Sequence, residues 1–105
     1  MAVLFEFSVV PVGTESPSVS RYVALAVKEI EKSGVKYQLT PMGTVFEAKS
    51  LAEGFNVIAK VHEALFSAGI KRIVTSIKID DRRDMERNME TKMESAKRAL
   101  ESLKS

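Results

Sequence analysis

Residues 30–39 read IEKSGVKYQL, and residues 65–74 read LFSAGIKRIV. At an offset of 35 the two segments carry the same succession: the end of a helical pattern, a glycine, a branched apolar residue, a lysine and a run suited to a strand. Glycine just past the last periodic residue is the usual helix stop, because it takes the left-handed conformation without a Cβ penalty. Ahead of the first segment, Val19, Val23, Ala26, Val27 and Ile30 recur at helical spacing, with Ser16 placed to cap and Pro17 at the first helical position. Further back, VLFEFSVV (3–10) is β-branched and aromatic and reads as strand 1, with Val3, Phe5, Phe7 and Val9 on one apolar face and Leu4, Glu6, Ser8 and Val10 on a mixed one.

After Gly34, VKYQLTP (35–41) reads as strand 2, MG as a hairpin and TVFEA (44–48) as strand 3. SLAE (50–53) has the capping-box pattern and opens helix 2, whose stripe is Leu51, Phe55, Ile58, His62 and Leu65 and whose stop is Gly69. IKRIVTSIKI (70–79) reads as strand 4. The order βαββαβ, split into two similar halves, predicts an α+β ferredoxin-like sandwich with an antiparallel sheet in the order 4-1-3-2. Residues 1–84 form this ligand-binding unit, and residues 85–105 add a long C-terminal helix to the same domain. On that helix Met85, Met89, Met93, Ala96, Leu100 and Leu103 step by 4, 4, 3, 4 and 3, a narrow stripe closer to a helical seam than to a broad core face.

Composition narrows the function. Sixteen basic and 14 acidic side chains leave a net charge of +2, and residues 80–105 hold seven of each sign, so no basic tail points to nucleic acid. There is no cysteine, which removes disulfides, thiolate metal sites and thiol nucleophiles, and no metal site is expected. The apolar start MAVLFEFSVV contains Glu6 and lacks a basic lead, and no segment approaches the roughly 20 apolar residues of a membrane span. A soluble, cytoplasmic protein is expected.

Two turns share one frame: PVGT (11–14) and PMGT (41–44). In the expected topology strands 1 and 2 are parallel and flank strand 3, so both turns converge at one end of the sheet, beside the start of helix 1 and near Lys71 and Arg72. Thr14 and Thr44 bring hydroxyls there, and the glycines leave main chain approachable. Tyr22, one turn into helix 1, can lay its ring against a ligand at that end or pack between helix and sheet. Glu47 has the opposite parity to Phe46 and points to the open face with Ser8, Gln38, Thr40 and Ser76, where Val10, Val45 and Val74 also lie. So mixed a face calls for a partner subunit, and a homo-oligomer, a tetramer with dihedral symmetry, is expected. His62, the single histidine, reads as a packed, hydrogen-bonded side chain, and Arg82 and Arg83 as neutralised by Asp80, Asp81 and Asp84.

The stretches SVVPVGTESPSVSRYVA, SGVKYQLTPMGTVFEA and GIKRIVTSIKIDDRRD closely resemble the small thiamine-binding protein family of ferredoxin-like proteins. The resemblance covers roughly residues 3–84, and the double G-T frame with YQLTPMGT carries it. It implies non-catalytic binding of thiamine or its hydroxymethylpyrimidine moiety by a cytoplasmic homo-oligomer, commonly a tetramer of face-packed sheets, with no cofactor required. Carried over by position, it implies Thr14, Thr44 and Glu47 as ligand-binding residues, with Ser8 and Tyr22 as weaker additions. An aminopyrimidine suits carboxylate and hydroxyl partners between apolar walls, and a thiazolium cation suits Glu47 and a ring face.

Two other uses of this topology fit less well. Acylphosphatases depend on an arginine in a phosphate-cradling loop and an asparagine, and neither P-x-G-T turn holds one. RNA-recognition modules display aromatics on the central strands for base stacking, whereas Phe5, Phe7 and Phe46 share the helix-facing side. A regulatory or sensing module for another small molecule or anion stays open as the alternative.

Overall fold

In the computed structural model, which describes residues 2–13, 20–84 and 88–104, the chain runs β1 (Val3–Pro11), α1 (Ser20–Lys32), β2 (Tyr37–Thr40), β3 (Gly43–Ala48), α2 (Leu51–Ser67), β4 (Ile73–Asp80) and α3 (Met89–Lys104). The four strands pair antiparallel in the order β2-β3-β1-β4. This is the 4-1-3-2 sheet of the ferredoxin-like arrangement, read from the other edge. Ser16, Pro17 and Val19, expected to open helix 1, and Met85 of the C-terminal stripe lie outside the described residues.

The core lies on the helix side of the sheet, where alternation sends Val3, Phe5 and Phe7 of β1. Phe5 pairs with Phe46 across β1 and β3, their rings stacked with centroids 5.1 Å apart, and Phe7 meets Phe46 edge-on at 5.7 Å. Ile30, Val57, Val61 and Leu65 close over these rings from α1 and α2. Gly34 and Gly69, at φ 74° and 100°, end the two helices in the left-handed conformation, as the repeated segments predict. Ser50 caps α2 by accepting the Glu53 N–H at 3.1 Å. The Glu53 carboxylate reaches back to the N–H of Lys49, one residue earlier than the standard capping box would have it.

Strand 4 starts at Ile73 and not at Ile70, and two further expectations shift. Strand 2 is shorter than 35–41, starting at Tyr37 and ending at Thr40, because Pro41 and Met42 are used up in the turn. The buried face of α2 is Gly54, Val57, Ile58, Val61 and Leu65, so Leu51, Phe55 and His62 lie at its margin and not along its centre. The helix is rotated because Gly54 seats directly on Phe5: a Cβ there would stand 2.1 Å from the ring carbons Cε1 and Cζ. Phe55, beside it, is 47% exposed and touches Phe5 only edge-on, at 5.5 Å. His62 is half-buried and its Nε2 lies 2.7 Å from the Thr75 hydroxyl of β4, a satisfied histidine at the helix–sheet border.

Alanine in place of glycine inside a helix normally stabilises by up to about 1 kcal/mol. Gly54→Ala is expected to do the reverse, lowering the free energy of unfolding in urea by about 1–3 kcal/mol through overpacking against Phe5. A stabilised variant would show that α2 does not rest on that ring.

Candidate functional site

The ladders of β1 have unequal lengths. Its pairing with β4 continues to Pro11↔Ile73 and one step beyond, where the Val12 N–H donates to the Arg72 carbonyl at 2.9 Å. Its pairing with β3 stops at Phe7↔Thr44. β3 cannot continue alongside, because Pro41 and Met42 turn the chain back into β2. The Thr40 hydroxyl holds that turn, accepting the N–H groups of Met42 and Gly43 at 3.2 and 3.1 Å and contacting the Gly43 carbonyl at 2.9 Å. The end of β1 therefore overhangs the β2–β3 hairpin, and α1 lies over the gap.

The gap is a cavity of about 370 Å³, within the usual range for a small-molecule site. Its floor and walls come from residues 7–11 of β1, residues 39–44 of the hairpin, and Tyr22, Val23, Ala26 and Val27 of α1. Pro11, the start of the first P-x-G-T frame, and Pro41, Met42, Gly43 and Thr44 of the second line it together. Among the lining residues there is no carboxylate, ammonium, guanidinium or imidazole. The polar groups are the Thr44 hydroxyl, the Tyr22 phenol and main chain, with the Thr40 hydroxyl spent on the turn.

Of the five residues expected at the site, Ser8, Tyr22 and Thr44 line this cavity. Tyr22 and Thr44 stand on the helix side of the sheet. Ser8 contributes its main chain, while alternation sends its hydroxyl to the open face opposite Ser76. Thr14 lies outside the described residues.

Glu47 is elsewhere. It has the expected open-face parity, but it sits three residues along β3 from Thr44, about 10 Å at the rise of a strand, and it pairs with Leu4. Its carboxylate accepts the Met89 N–H at 2.9 Å and so holds the first turn of α3. Asn88 adds an ordinary cap, accepting the Thr91 N–H at 2.9 Å. Ion pairs Lys36–Glu90 and Lys92–Asp80 bracket the same turn, and the Glu90 carboxylate beside Lys36 raises that ammonium above its ordinary value. Leu4 and Met89, on either side of Glu47, are the buried hydrophobic residues that stand apart from the helix-side core. Arg82 and Arg83 pair with Asp84 and Asp81, holding both carboxyls below their ordinary values.

Sequence reading missed the apolar rim. Val23, Leu39 and Met42 line the cavity and are 51%, 53% and 85% exposed. Met42 was legible in principle, since a large apolar side chain between Pro41 and Gly43 at a turn tip has no core to enter.

A family model described as thiamine-binding protein matches residues 5–97. The chain belongs to the thiamine-binding protein family. The family match runs past residue 84 and takes in the first nine residues of α3, 89–97. A UPF0045 protein of Methanothermobacter thermautotrophicus is 44% identical over 95 residues, covering 90% of this chain and 96% of its own. The UPF0045 protein YqgV of Bacillus subtilis is 45% identical over 100 residues, covering 91% and 95%. Among solved structures, the hypothetical protein MJ1052 of Methanocaldococcus jannaschii superposes with a TM-score of 0.81 at 34% identity, over 90% of this chain and 95% of its own.

The placement of Glu47 has a direct consequence. Glu47→Ala is expected to free the first turn of α3, raising amide exchange at Met89 at least tenfold and costing roughly 0.5–2 kcal/mol, the range for losing a helix cap. Unchanged exchange at Met89 would show that the carboxylate does not hold the helix.

Proposed function

We propose that this protein binds thiamine, or its hydroxymethylpyrimidine half, in the cavity between the β1 overhang, the β2–β3 hairpin and α1, and releases it unchanged. The observation that carries the reading is one apolar cavity where Pro11, which opens the first P-x-G-T frame, meets the whole second frame with the Thr44 hydroxyl at its wall, in a chain whose family is described by that ligand. Tyr22 and the aliphatic side chains of α1 supply a surface for a planar ring, and Thr44 supplies a hydroxyl that both donates and accepts. A lining with hydroxyls but no carboxylate, imidazole or ammonium to activate them favours holding a ligand over transforming it. With Glu47 engaged by α3, the cavity suits the neutral pyrimidine against Tyr22, and the thiazolium cation of intact thiamine is left toward the open rim.

Isothermal titration is expected to show saturable binding of thiamine or the free pyrimidine, weakened about tenfold by Thr44→Val and by Tyr22→Ala, each a loss of about 1.4 kcal/mol. Unaltered affinity in both variants would move the site away from this cavity.

The protein acts as a homo-oligomer, a tetramer, in this reading. Val10 and Val74 on the open sheet face and Met93, Leu100 and Leu103 on α3 are exposed, large and apolar, the kind of surface that self-association covers. Sedimentation equilibrium is expected to give four chains, and Leu100→Asp with Leu103→Asp to lower the assembly by one step. A wild-type monomer at micromolar concentration would refute it.

A further inference from the structure

The overhang of β1 leaves main-chain groups at the cavity. Val12 donates to Arg72 directly opposite it in the β1–β4 register, so Val10 and Ser8, at the same parity, also turn their N–H and C=O toward β4. Phe7 and Val9 then turn theirs the other way, toward β3. Phe7 meets Thr44 there. The position that would meet Val9 is Met42, and the Met42 N–H is already donated to the Thr40 hydroxyl inside the turn. Among the described residues, Val9 therefore has no β3 partner for its amide or carbonyl, and both point into the gap that the cavity occupies. Pro11, next at this parity, brings a carbonyl and no N–H.

We infer that the main chain of Val9 is the specificity element of this site: its N–H and C=O read, as a strand edge reads another strand, a planar heterocycle that carries an acceptor ring nitrogen beside an amino group. The inference rests on the binding reading above and narrows it. The aminopyrimidine half is the recognised part, and the remainder of the ligand is tolerated at the open rim. Val9 N–H donates to the ring nitrogen and the exocyclic amine donates to Val9 C=O, with Tyr22 against the ring. The side chain of residue 9 is immaterial to this pairing, so no substitution pattern at that position would disclose it. With the ring orientation fixed by the cavity walls, replacing the amino group by an oxo group inverts both partners, placing donor against donor and acceptor against acceptor, and only turning the ring over would restore the pairs. A site built on paired polar groups rejects such an analogue far more strongly than a site built on shape alone.

The test compares hydroxymethylpyrimidine bearing the amino group with its oxo counterpart, by titration calorimetry and by ¹H–¹⁵N spectra of the wild-type chain. The amino compound is expected to bind at least about thirtyfold more tightly, and at saturation the Val9 amide proton moves downfield and its exchange slows while those of Ser8 and Val10 change little. Equal affinity for the two compounds, or an unmoved Val9 amide at saturation, would overturn the inference and leave the cavity as a binding site. Binding of neither compound would overturn the binding reading itself, and this inference with it.

Discussion

The seating of Gly54 on the ring of Phe5 is the contact on which the remaining geometry depends. It sets the height and rotation of α2 above the sheet, and through the Phe5–Phe46 stack it ties that helix to the pairing of β1 with β3. With that register held, Phe7 must face Thr44, and every residue of β1 beyond Phe7 extends past the start of β3. The overhang, and therefore the cavity, follows from where an aromatic pair locks two strands together. Nothing in the cavity walls has to be strained for it to exist. Strand β4 supports the overhang from its other side, so the projecting segment keeps one complete ladder.

The absence of charge in the cavity separates it from the rest of the molecule, where charges are paired at the surface. Lys36 with Glu90, Lys92 with Asp80, Arg82 with Asp84 and Arg83 with Asp81 all cluster around the opposite end of the sheet and the start of α3. One end of the sandwich thus offers apolar walls and main-chain polarity, and the other manages the attachment of a helix by electrostatics. Exposed pairs of this kind contribute little each, so Glu47, half-buried and bonded to the Met89 N–H, does more for that attachment than the ion pairs around it.

Much of this was legible in the residues. The repeat at residues 30–39 and 65–74 locates two helix ends and two strands, because glycine and β-branched residues act locally. The meeting of Pro11 with the second P-x-G-T frame follows from topology alone. The stripe of α2 was misread because glycine carries no hydrophobic signal, while Phe55 carries a large one and stays at the margin. Glu47 was placed on the correct face, but its partner was not, since the docking of α3 rests on contacts 42 residues apart in sequence and not on periodicity. The end of the β1–β3 ladder was also beyond reach. Pairing stops where the hairpin turns, and only the β1–β3 register shows that Met42, inside that turn, is the position opposite Val9.

Glu90 through Lys104 are exposed along their whole length, and the molecule measures 52 × 30 × 19 Å as a result of that projecting rod. Anchored by its first turn, α3 works as a lever with a short load arm and a long free one. Leu103 lies fourteen residues beyond Met89, about 21 Å at the rise of a helix, so a tilt of about 20° at the anchor carries the tip through roughly 7 Å. Over a load arm of one turn, about 5 Å, a displacement of about 0.5 Å at Glu47 tilts the rod by roughly 5° and carries its tip through about 2 Å.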